Sequence, residues 1–234
     1  MQDRTEREDK MALITDINPP AAPNLPIAPN QYSTQHFDIL NNVLRLYFNR
    51  LFEVLKGLLG TGGGSVLNTP FISAYDATSQ YATGNNTPTA AIWSNGDING
   101  FTLGTTDATA LYSGTYKITY SLQFANNDNV AHDAVVWLRV NGTTSTADVP
   151  ASSTKFTIPA RKSAGVPTYV VAYSEVVFDL NVGDSVSLWW GTDLAATSGG
   201  GTGVYMFSET AQTTPMAYPA IPSALGSITF VSAL

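Results

Sequence analysis

The chain has 234 residues, of which 44% are hydrophobic, 11% aromatic and 12% charged. That is enough apolar material for a core with about half the usual charge of a soluble protein, which excludes an intrinsically disordered chain. A net charge of −7 argues against nucleic acid as the main partner, and the lack of cysteine removes disulfides, thiolate zinc sites and cysteine nucleophiles.

Residues 1–32 read as an extended arm. The first ten, MQDRTEREDK, are mixed charges rather than the basic start and apolar run of a secretory signal. Met11 offers a second possible start. Pro19, Pro20, Pro23, Pro26 and Pro29 follow. Each fixes its own φ and biases the preceding residue to extended geometry, so a polyproline-like strap is expected. Leu25 and Ile27 are its bulky apolar residues. Such a strap loses little entropy when it docks in a groove of another protein. The other reading is a disordered leader.

Residues 33–60 read as one helix. Ser33 or Thr34 can cap it, and Gly57, Gly60 and the glycines beyond can end it. Phe37, Leu40, Leu44, Tyr47, Leu51, Val54 and Leu58 are spaced 3-4-3-4-3-4, an unbroken heptad seam. Phe48, Phe52, Leu55 and Leu59 run beside it, and Ile39, Val43 and Leu46 widen the stripe. One partner helix cannot cover so wide a face, so a three-helix bundle is expected. Burial contributes about 1.5–3 kcal/mol per seam residue, or roughly 10–20 kcal/mol per chain before entropy is subtracted. The alternative is an amphipathic helix packed on its own domain. The linker at 61–69, with Gly62, Gly63 and Gly64, argues against that, because it frees the helix. The polar strip lacks the lysines of a membrane-surface helix, and no charge-free apolar run is long enough to span a bilayer.

Residues 70–234 read as a β-rich head. In GTYKITYSLQF (114–124), Tyr116, Ile118, Tyr120, Leu122 and Phe124 share one face. Further strands are expected at 71–75, 90–93, 101–103, 110–112, 135–140, 169–180, 186–190, 204–207 and 228–231. Asn141-Gly142 suggests a type I′ hairpin turn. About ten short strands with turn residues between them predict a mainly β, antiparallel sandwich.

Convergent polar groups for catalysis are few. His36 opens the helix. His132 and Asp133 are neighbours whose side chains should point to opposite faces of a strand. The aspartates stand mostly in turn contexts. Gly199 to Gly203 lacks the lysine and helix of a phosphate loop. Asn126, Asn127, Asp128 and Asn129 concentrate oxygen ligands suited to calcium, though not at the spacing of an EF-hand. Trp190 and Trp137 are expected to pack inward. Trp189 is expected to point outward, towards a subunit interface or a sugar. No enzyme activity, metal or cofactor is expected.

Several pieces, taken in order, resemble one family. FISAYDATSQYATGNNTPTAAIW (71–93) resembles the opening strands of the tumour-necrosis-factor-like, complement globular-head jelly roll found in bacteriophage virion proteins. GTYKITYSLQF resembles its central strand, VNG (140–142) its next hairpin, VVFDLNVGDSVSLWW (176–190) its L-x-x-G-D-x-V segment and SITFVSAL (227–234) its closing strand. The resemblance implies a ten-stranded jelly roll that trimerises through aromatics on a threefold axis, and a structural or binding role. The complement relatives' collagen-like stalk is replaced here by the heptad helix, which favours the viral branch. The expected protein is therefore a homotrimeric virion fibre or knob. Its arm would hold other virion proteins, and its head would be open to host attachment through a surface glycan. Capsid decoration, a carbohydrate-binding module and a glycosidase are the alternatives.

Overall fold

A computed structural model describes residues 22–27, 30–31, 33–59, 69–199 and 201–234, without the side chains of 56–59. Pro19, Pro20, Pro29 and residues 61–68 lie outside the described residues, as does the side chain of Leu58. The chain divides into two units, Met1–Asn68 and Thr69–Leu234.

In the first unit, helix α1 runs from Thr34 to Leu59, 26 residues, or about 39 Å at 1.5 Å per residue. Ser33 is its cap. Its hydroxyl oxygen accepts the His36 N–H at 3.3 Å, and its carbonyl accepts the Phe37 N–H at 3.2 Å. The helix runs on through Gly57, which was expected to end it. One interior glycine costs only about 1 kcal/mol against alanine, and the flanking leucines and lysine favour continuation. On the outer strip Arg45 donates to the Asn42 side chain at 2.8 Å. No helix among the described residues is long and apolar enough to cross a membrane.

The second unit is mainly β. Its twelve strands, among the described residues, are β1 (Phe71–Asp76), β2 (Thr89–Ala90), β3 (Asn95–Asn99), β4 (Phe101–Leu103), β5 (Asp107–Ala110), β6 (Gly114–Asn126), β7 (His132–Val140), β8 (Thr154–Ile158), β9 (Thr168–Leu180), β10 (Ser185–Thr192), β11 (Val204–Met206) and β12 (Ala224–Ser232). They form two six-stranded sheets with antiparallel pairing throughout. The first sheet is centred on β6. β9 pairs with β6 along its whole length, from Gly114 opposite Leu180 to Asn126 opposite Thr168. β12 and β11 share the other edge of β6, and β1 and β3 follow β12. The second sheet runs β4-β5-β10-β7-β8, with β2 also on β10. The chain crosses between sheets from β6 to β7, from β8 to β9 and from β9 to β10, the connection pattern of a jelly-roll sandwich.

Alternation on β6 works as expected. Tyr116, Ile118, Tyr120, Leu122 and Phe124 are buried, and the residues between Thr115 and Gln123 on the other face are half-buried. From the second sheet Val136, Leu138, Leu188 and Trp190 meet them, and the Phe124 and Trp190 rings lie 5.5 Å apart.

Several expectations need correction. The strand expected at 90–93 is only the two-residue β2, because the chain leaves β10 after the Ala91 N–H donates to the Leu188 carbonyl. The strand expected at 110–112 lies earlier, at Asp107–Ala110. β3 has the composition of a turn, NGDIN, yet pairs with β1 as an exposed edge strand. There the pairing outweighs local propensity. β8, TKFTI, shows only two large apolar residues and was not expected. Asn141-Gly142 does not make a type I′ turn. That turn needs positive φ at both positions, and only Asn141 has it, at 58°. A long loop containing a 3-10 turn at Ser145–Ala147 leads to β8 instead.

Gly203 is required by its backbone. Its φ is +124°, and a Cβ there would lie 2.8 Å from the Leu194 carbonyl oxygen and the Ala196 nitrogen. Those groups carry the loop ladder into β11. Gly203→Ala is therefore expected to cost about 1–3 kcal/mol, read as a lower melting temperature with the far-ultraviolet spectrum unchanged.

Candidate functional site

The heptad positions lie along one side of α1. Leu40, Leu44, Tyr47, Leu51 and Val54 are half-buried, and Phe37 is exposed. The flanking rows are more open. Phe48 is 59% and Phe52 62% exposed, and Ile39, Leu46 and Leu55 are exposed as well. With Val43, these side chains span well over half of the circumference, and Phe37, Ile39, Leu46, Phe48, Phe52 and Leu55 remain exposed in the single chain. In the arm Leu25 and Ile27 are exposed, and Pro23 and Pro26 are half-buried.

The outward face of the first sheet also carries apolar groups. The register aligns Tyr75, Leu225, Ser121 and Tyr173 in one row across β1, β12, β6 and β9. Tyr75, Leu225 and Tyr173 are exposed. A second row holds Phe71, Thr229, Lys117 and Val177, in which Phe71 and Val177 are exposed.

The outward face of the second sheet is built around Arg139. Trp137 on β7 and Trp189 on β10 are register partners. The Arg139 guanidinium lies 4.1 Å from the Trp189 ring centre and 5.5 Å from that of Trp137. Arg139 Nε donates to Asp148 Oδ1 at 2.6 Å, and the same oxygen accepts Trp137 Nε1–H at 2.8 Å. Arg139 Nη1 donates to the Thr143 carbonyl. Trp137 thus faces outward, contrary to expectation. Its neighbours Val136 and Leu138 take the inward positions, and alternation leaves it the other face. Trp190 is in the core and Trp189 faces outward, as expected. Trp189 is not a free platform, because Arg139 covers it and its Nε1–H is given to Ser187 Oγ at 2.8 Å.

His132 opens β7 between two carboxylates. Nε2 lies 2.8 Å from Asp128 Oδ2, and Nδ1 lies 3.1 Å from Asp193 Oδ1. Asp128 comes from the β6–β7 loop and Asp193 from the end of β10, so the imidazole ties three segments together. Beside it Asp133 takes Lys155 Nζ at 2.6 Å and the Thr157 hydroxyl at 2.7 Å. The sequence placed His132 and Asp133 on opposite faces, which is right, but it held no sign of Asp128 and Asp193.

Burial draws the His132 pKa down, yet the bonds to Asp128 and Asp193 outweigh it and hold the pKa above its ordinary value. The Asp128 carboxyl is held below its usual range, first by the hydrogen bond with His132. Only the imidazolium donates from both ring nitrogens. A histidine with a raised folded-state pKa contributes stability that is fully present below the unfolded value of about 6.5 and fades as pH rises through the folded one. The head is therefore expected to lose part of its melting temperature above neutral pH, and His132→Gln to lack that part. Proton NMR titration reads the pKa directly, since the chain holds two histidines. A His132 midpoint at or below 6.5 contradicts this account.

Two of the side chains considered for calcium, Asn126 and Asp128, are used within the chain. Asn126 Nδ2 donates to the Val130 and Pro159 carbonyls at 2.8 and 3.0 Å, and its Oδ1 accepts the Asp128 N–H at 2.8 Å. Asp128 Oδ1 accepts the Asn129 N–H at 2.7 Å. Among the described residues no group of three or more acidic or histidine side chains is arranged to hold a metal ion.

Beside Trp137, a cleft of ≈ 350 Å³ opens on the same sheet face. Val135, Trp137 and Gly191 form its floor, and the Asn86–Pro88 loop and the Asp133, Lys155 and Asp193 side chains form its walls. A scan against protein-family models and a search of curated proteins both find no match for this chain.

Proposed function

We propose that this chain is a structural component of a bacteriophage virion, a homotrimeric fibre or knob. The arm anchors in the particle, α1 assembles three copies, and the jelly-roll head faces outward for host attachment. One observation carries the reading: a 26-residue helix whose apolar rows remain open to water in the single chain. Such a stripe needs company, and three copies cover a face of this width better than two. The exposed Tyr75 and Tyr173 on the head, with Leu225 between them, supply aromatics of the kind that the family resemblance puts at a threefold axis.

Immunogold microscopy tests the reading on particles of the virus that encodes the chain, with antibody to the head. Gold at a projecting appendage supports a fibre or knob. Gold spread evenly over the capsid supports the decoration alternative. Gold absent from the particles contradicts both.

A further inference from the structure

We infer that the cleft between the Asn86–Pro88 loop and the start of β7 is a binding site for a neutral pyranose ring. The inference gives the attachment reading a ligand class and a location, and it rests on that reading only for the source of the sugar. Its floor and walls have unlike chemistry. The floor is Val135, the indole of Trp137 and the bare backbone of Gly191, which offers a flat apolar surface. At Gly191 a Cβ would meet only the Thr87 carbonyl, at 3.5 Å, so the position has room for a side chain but holds none. The size of the cleft falls within the usual range for small-molecule pockets.

The rim offers both acceptors and donors. Asp193 Oδ1 holds His132 and the Asp133 N–H, and among the described residues no group donates to its Oδ2. The side chain is 48% exposed. Lys155 spends one of its three protons on Asp133 and is 62% exposed. Asn86 is exposed, and its side-chain amide bonds to none of the described residues. A pyranose matches this pattern. Its axial C–H face lies on an apolar floor while its equatorial hydroxyls both give and take hydrogen bonds at the edge.

Charge selects a neutral sugar. With the His132 pair behind the rim included, the carboxylates of Asp128, Asp133 and Asp193 outnumber the cations of Lys155 and His132 and leave the site negative, and the chain as a whole carries −7. A uronate, sialate or phosphate would meet repulsion. The His132 clamp fixes Asp193, so the acceptor is held in place before a ligand arrives.

Saturation-transfer NMR on the full chain tests the site. The probes are the methyl glycosides of glucose, galactose, mannose and N-acetylglucosamine at millimolar concentration, with glucuronate as the acidic control. The expected result is transfer to at least one neutral glycoside and weaker transfer to glucuronate. Gly191→Leu fills the floor and should abolish the signal. Lys155→Met, at an exposed position, should weaken it about fivefold, the effect of one lost hydrogen bond. Trp189→Phe, outside the cleft, should leave it unchanged. Transfer to none of the neutral sugars overturns the inference. So does glucuronate binding as well as they do, or an unchanged signal in both Gly191→Leu and Lys155→Met. Each outcome leaves the trimer untouched, because the measurement does not read assembly.

Discussion

Aspartate at both Leu44 and Leu51 is expected to leave the chain as single copies at micromolar concentration. The two positions lie a heptad apart on the seam of α1, one turn either side of Tyr47. In a three-helix bundle each substitution would place three carboxylates around one axis. An ionised group without a partner costs several kcal/mol to bury, and like charges brought together add repulsion. Two such layers exceed what the remaining seam residues contribute. The head should stay folded, since β1 to β12 hold their core without the helix. Light scattering reads the mass, and near-ultraviolet circular dichroism reads the packing of Trp190. Loss of assembly with an unchanged aromatic spectrum is the expected pair. A variant that still assembles in threes shows that the seam does not hold the copies together.

The second large effect belongs to the sandwich. Phe124→Ala is expected to destabilise the head by about 3–5 kcal/mol. Phe124 has no exposed surface and bridges the two sheets through Trp190. The surrounding strands are pinned on both sides, β9 along one edge and β11 along the other, so the walls cannot close on the space left. For a domain of this size that loss lowers the melting temperature by roughly 6–20 °C. The helical unit should not respond. A calorimetric transition that moves by less than a degree or two would place the core elsewhere.

How much of this was legible from residues alone depended on range. α1 was plain because its signal is local: a 3-4 spacing over seven apolar residues and a serine at its start. β6 was equally plain, since five alternating apolar residues leave one choice of face. β3 and β8 were not. Their strand geometry comes from pairing with β1 and β7; the residues of β3 lean towards turn, and β8, with only Phe156 and Ile158 as large apolar residues, is too short and polar to stand out. Trp137 is expected inward with Trp190 from strand alternation, but the parity is taken wrongly. Its neighbours Val136 and Leu138 already fixed the opposite parity, and counting from them would have turned it outward. The His132 pair was beyond reach, because Asp193 is brought to it only by the β7–β10 register. The cleft shares that origin, since its walls come from the loop before β2, from β7, from β8 and from the end of β10.

The mass of the intact chain in solution bears most directly on the central claim. Light scattering at micromolar concentration should return three times the mass of one chain, and should hold that value on tenfold dilution. A mass of one chain, with α1 helical by circular dichroism, would mean that the apolar stripe recruits no sister copies, and the account of a trimeric stalk would be wrong.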